Sequence, residues 1–92
     1  MENRSCIQQS LDKIEAELAS EIRVNELAQN AGYSLFYYYH IFQKEVKMPV
    51  MQYIIRRRLL HGIYEMSQGE KKIDIALKYG FLTYAGFYKA FV

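Results

Sequence analysis

The amino-acid sequence predicts an all-α fold of two short repeated units joined by a long helix. Three observations carry that prediction. The run LAQNAGYSLFYYYHIF, from Leu27 to Phe42, places Leu27, Ala28 and Ala31 at helical spacing, then offers Gly32 to close one helix and Ser34 to cap the next. The pattern returns 48 positions later, where Ile75, Ala76, Gly80 and Phe81 repeat Leu27, Ala28, Gly32 and Tyr33. Finally, there is one proline and no alternating run of β-branched residues.

In the first unit, Tyr38, Ile41 and Phe42 share one helical face and are expected to pack on Leu27 and Ala28. Phe36, Tyr39, His40 and Gln43 then fall on the opposite face. In the second unit Phe87 and Phe91 continue the apolar stripe, with a turn about one residue longer.

In order along the chain, Ile7, Leu11, Ile14 and Leu18 predict an amphipathic first helix over roughly 5–19, with Asp12, Lys13, Glu15 and Glu17 on its other side. A break over 46–49 precedes a long helix over 50–66, whose apolar stripe is expected from Met51, Ile54, Ile55, Leu59 and Ile63. Gly62 inside that helix points to close packing against a neighbour or to a flex point. Residues 67–72 form the turn before the second unit. The expected organisation is 1–49 for a first helix and first helix-turn-helix lobe, 50–66 for a linker helix, and 67–92 for a second lobe.

Ninety-two residues amount to one small domain or two very small lobes. The net charge is only +2, but it is unevenly spread: residues 1–42 carry −3 and residues 43–92 carry +5. The later half is the better candidate for a phosphate-facing surface. A single cysteine, Cys6, forbids an internal disulfide. With no secretory leader pattern and no membrane-length apolar run, a cytoplasmic protein is expected.

Neither Cys6, His40 nor His61 has a second ligand at metal-binding spacing, so no metal or other cofactor is expected. No nucleophile motif, phosphate-cradling glycine loop or carboxylate pair argues for catalysis, and no enzyme is expected. The exposed aromatics suit either a nucleic acid or another protein.

The segments ELAQNAGYS (26–34), HIFQK (40–44), MQYIIRRRLL (51–60), IDIALKYGF (73–81) and GFYKAF (86–91) resemble the DNA-binding domain of AraC/XylS-type transcriptional regulators. The resemblance covers nearly the whole chain. It implies a bilobal, homeodomain-like double helix-turn-helix whose recognition helices enter major-groove segments of promoter DNA about one helical turn apart. RNA polymerase is the implied partner, transcriptional activation the implied role, and an effector domain elsewhere in the parent protein a further implication.

Carried over by motif, the base-facing candidates are Phe36, Tyr39 and His40 in the first unit, and Tyr84, Ala85, Tyr88 and Lys89 in the second. Ser34, Lys44, Arg56, Arg57, Lys71 and Lys72 are candidates for DNA backbone contacts, and Lys78 is a further cation of that surface. Arg58 is equally suited to an ion pair with Glu26, Glu65 or another carboxylate.

Four positions depart from the family pattern. His40 stands where arginine is usual, Lys47 and Val50 replace a glycine and a proline, and Gly62 replaces an alanine. A neutral histidine lacks arginine's bidentate reach to guanine, so a first half-site richer in A·T is expected. Family members continue beyond the position of Val92 with a closing helix, so the second lobe is expected to lack its final helix. The alternative to DNA binding is a helical protein-interaction module using the exposed aromatics.

Overall fold

A computed structural model describes residues 2–91, with side chains at 6–83 and 85–89. Six helices and no strand occur among the described residues: α1 (Glu2–Ala16), α2 (Val24–Ala31), α3 (Leu35–Val46), α4 (Val50–Ser67), α5 (Lys72–Lys78) and α6 (Tyr84–Phe91). The molecule is elongated, with extents of 41 × 21 × 20 Å.

The two units are built by the same backbone chemistry. After α2, Gly32 takes φ 79° and the Tyr33 amide donates to the Ala28 carbonyl at 3.0 Å. After α5, Gly80 takes φ 89° and the Phe81 amide donates to the Ala76 carbonyl at 2.9 Å. Each glycine lets the chain reverse in the left-handed region, which a side chain makes costly, and each following aromatic is drawn back against its own helix.

The caps of the following helices reveal the offset between the copies. Ser34 accepts a hydrogen bond from the Tyr37 amide at 3.2 Å, and Thr83 accepts one from the Gly86 amide at 3.0 Å. Thr83 lies one residue beyond the 48-residue repeat, so Leu82 is the additional residue of the second turn.

Packing follows the helical period. Tyr38 and Phe42 are fully enclosed, with Ile41 beside them on Leu27 and Ala28, while Tyr37 and Tyr39 flank Tyr38 in sequence and remain exposed. Phe42 meets Tyr53 edge-on at 5.7 Å, joining α3 to α4. At the other end, Phe87 stacks on Tyr79 at 6.3 Å and meets Phe81 edge-on at 5.3 Å. The side chain of Phe91 lies outside the described residues.

Three expectations are corrected. α1 ends at Ala16 rather than near 19, because the next amides bond three residues back: Glu17 to Ile14 and Ser20 to Glu17. Leu18 is nevertheless buried. Glu15, expected on the solvent side, instead turns toward α4. The α4 stripe is also different, with Val50, Ile54, Leu59 and Gly62 buried but Met51 and Ile63 exposed. The buried line drifts around α4, whose Tyr53 meets Phe42 of α3 and whose Gly62 lies against Phe87 of α6 and Ile75 of α5.

Gly62 is where α4 comes closest to its neighbours. A Cβ placed there would lie 2.5 Å from Phe87 Cζ and 3.1 Å from Ile75 Cγ2. Close packing therefore accounts for the glycine.

Candidate nucleic-acid interface

On α3, Phe36, Tyr39 and His40 lie together on the face opposite Tyr38, Ile41 and Phe42. Phe36 is 84% exposed and Tyr39 42%. Both are carried on a helix whose other side is anchored in the core, so their direction is set by the burial of Tyr38 and Phe42. Tyr37 beside them packs edge-on against Tyr33 at 5.0 Å, which ties the start of α3 to the turn.

Counting from the caps, Ser34 and Thr83, brings the two second helices into register. Phe36 corresponds to Ala85, Tyr38 to Phe87, Tyr39 to Tyr88 and His40 to Lys89. Tyr38 and Phe87 are both buried, whereas Ala85, Tyr88 and Lys89 are exposed as Phe36, Tyr39 and His40 are. The side chain of Tyr84 lies outside the described residues. Neither α3 nor α6 has an acidic residue in its first turn, so the positive ends of both helices are not offset by a local carboxylate.

The basic candidates divide into two groups. Lys44, in the last turn of α3, Arg56 and Lys71 are exposed, and Lys72 is exposed at the start of α5. Ser34 spends its oxygen as the α3 cap and keeps its hydroxyl proton for donation. Arg57, by contrast, is held within the protein, with Nε and Nη2 each donating to a Glu15 carboxylate oxygen at 3.0 Å.

Glu15 also meets His61 Nε2, so one carboxylate ties α1 to two successive turns of α4. The hydrogen bond from Arg57 is the main reason its pKa lies below the ordinary carboxylate value, against the opposing effect of burial. Arg57 is raised in turn, chiefly by the same bond.

Among the described residues, Arg58 has no carboxylate partner. It donates to the Leu18 and Ser20 carbonyls at 2.9 Å each and so closes the irregular end of α1. Its burial pulls its pKa below the usual arginine range. Glu65 instead receives Lys78 at 2.7 Å and the Tyr79 hydroxyl at 2.9 Å, linking α4 to α5. Burial opposes its ionisation, but the bonds from Lys78 and Tyr79 hold its pKa down.

Two features of the second turn went unread in the sequence. Thr83 is the positional counterpart of Ser34, and Leu82 is 89% exposed just ahead of it. The one-residue lengthening of the repeat was the signal for both. Among the described residues, no group of three His, Cys, Asp or Glu side chains comes together as a metal site, and no helix is long and apolar enough to cross a membrane.

Two glycine-reversed helix pairs, each presenting an exposed face on its second helix, define a helix-turn-helix protein, and residues 8–92 match a helix-turn-helix domain family. The chain is 36% identical over 88 residues to the HTH-type transcriptional activator AarP of Providencia stuartii, covering 95% of this chain and 65% of AarP. It is 34% identical over 86 residues to the HTH-type transcriptional regulator YbfP of Bacillus subtilis, covering 92% of this chain and 29% of YbfP. Similarity to the transposon Tn10 TetD protein of Escherichia coli is 33% over 79 residues, 85% of this chain and 57% of TetD. The chain thus spans less than two thirds of each relative's length. It belongs to the AraC-type family of DNA-binding domains, homologous to AraC-family bacterial transcriptional regulators, and is not an enzyme.

Proposed function

We propose that this chain binds double-stranded promoter DNA sequence-specifically, with α3 and α6 entering successive major-groove segments. Residues 1–49 and 67–92 serve as the two lobes of this bilobal domain, and 50–66 is the linker that sets their spacing. The observation that carries the reading is the shared register of the two second helices. Their caps, buried aromatics and exposed positions correspond residue by residue, as expected if both make the same kind of contact.

α4 joins the lobes as an 18-residue helix, about 27 Å long at a rise of 1.5 Å per residue. Half-sites one turn of DNA apart require a separation of about 34 Å between groove centres. Phe36, Tyr39, His40, Tyr84, Ala85, Tyr88 and Lys89 would read base edges. Ser34, Lys44, Arg56, Lys71 and Lys72 would hold phosphates. Arg57 contributes through the fold, because its guanidinium is already committed to Glu15. AarP is named a transcriptional activator, and on that ground the parent protein is proposed to activate transcription beside RNA polymerase.

A selection from random duplex DNA at two salt concentrations tests the reading. The expected result is a bipartite motif with half-sites about 10 base pairs apart, bound less tightly at higher salt. A pool without any enriched sequence, from a chain whose helical spectrum is intact, would favour the protein-interaction role instead.

A further inference from the structure

We infer that the two recognition helices read chemically unlike half-sites: α3 a thymine-rich one through C5-methyl contacts of Phe36 and Tyr39, α6 one containing a guanine bonded by Lys89. The inference rests on the DNA-binding reading above and adds to it which bases are read and which way round the protein sits.

The contrast comes from the register. At the second position after the cap, α3 carries Phe36 and α6 carries Ala85; at the sixth, α3 carries His40 and α6 carries Lys89. No lysine or arginine occurs between residues 35 and 43, so the exposed face of α3 ahead of Lys44 has no cationic donor of that kind.

Phe36 is 84% exposed and cannot form a hydrogen bond through its side chain, so its contribution in a groove must come from apolar contact. In the major groove only thymine among the four DNA bases offers a methyl group for such contact. Tyr39, five positions past the cap, adds ring surface on the same face with a hydroxyl at its tip. The two ring nitrogens of His40 point in diverging directions, so the imidazole cannot offer the paired donors that guanine O6 and N7 invite.

On α6 the balance is reversed. Ala85 offers a single methyl group where α3 has a phenyl ring, and Lys89 places an ammonium where α3 has an imidazole. An ammonium can donate to both O6 and N7 of one guanine. Exchanging the two half-sites would set Lys89 against thymine and Phe36 against guanine, so the protein is expected to bind its site in one orientation.

The test uses the duplex recovered by the selection, rebuilt with deoxyuridine for thymine in one half-site at a time. This change removes only the C5-methyl group. In the α3 half-site, affinity is expected to fall about fourfold per contacted methyl. In the α6 half-site, where Ala85 replaces the Phe36 ring, the loss should be smaller, whereas 7-deazaguanine there should weaken binding. Phe36→Ala, at an exposed position, should retain the helical spectrum and reduce the sensitivity to deoxyuridine in the α3 half-site, leaving the share that Tyr39 carries.

Sequence-specific, bipartite binding that ignores deoxyuridine in the α3 half-site, or loses affinity equally from both half-sites, overturns the inference and leaves the DNA-binding reading intact. A selection that returns no sequence overturns both, and it is recognised by the absence of any site to substitute.

Discussion

At Lys47 the chain leaves α3 with φ 72° and ψ 20°, the only non-glycine residue with positive φ among the described residues. A side chain in this region costs about 1–2 kcal/mol, part of which glycine would return through its freer unfolded chain, roughly 0.4–1 kcal/mol. Lys47→Gly is therefore expected to stabilise the domain slightly and raise Tm by a few degrees in thermal unfolding. Gly62 makes the opposite case. Alanine there would gain about 1 kcal/mol of helix propensity but force its methyl group into Phe87 and Ile75, at a typical overpacking cost of about 1–3 kcal/mol. Gly62→Ala should lower Tm, because the Phe87 ring is held between Tyr79 and Phe81 and has little room to yield.

Among elements, α1 is tied to α4 by polar side chains as well as by the shared core. The Glu15 bonds to Arg57 and His61 are partly exposed, so solvent screening limits their contribution to about 1 kcal/mol or less. Glu15→Gln should therefore lower Tm modestly at neutral pH. The folded-state pKa of Glu15 is depressed, so its contribution is present above the ordinary value of 4.5 and disappears as pH falls through the lower folded value. The difference in Tm between wild type and Glu15→Gln should shrink over that acid range. Arg58 acts on the same junction through the Leu18 and Ser20 carbonyls, which would lose their partner in Arg58→Ala.

For the whole molecule, the question is which cations face a partner and which hold the fold. Arg56 and Arg57 are neighbours in a three-arginine run, yet one is exposed and the other is held by Glu15. Arg56→Ala and Lys44→Ala should each weaken binding to all duplex sequences alike and reduce the magnitude of the logarithmic salt slope by about 1. Arg57→Ala should chiefly lower Tm and leave that slope nearly unchanged. Titrations at several salt concentrations beside thermal melts separate the two effects; equal slope changes at Arg56 and Arg57 would contradict this division.

Local periodicity by itself determined much of the protein. A helical repeat of 3.6 residues allows only one of Tyr37, Tyr38 and Tyr39 to lie at the centre of the core-facing stripe, and Tyr38 is the one that joins Ile41 and Phe42. Glycine marked both turns and Ser34 the first cap, and the imperfect repeat already held the one-residue offset later seen at Thr83. The exposed positions of α3 and α6 follow from the same period. What only the tertiary structure decided depends on residues far apart in the chain. Glu15 lies 42 positions from Arg57, and Arg58 reaches carbonyls 38 and 40 positions away. The packing of α4 also changes sides because different helices cover its two halves. Charge and hydropathy show that these side chains can interact; the choice of partner comes from the angles at which the helices meet.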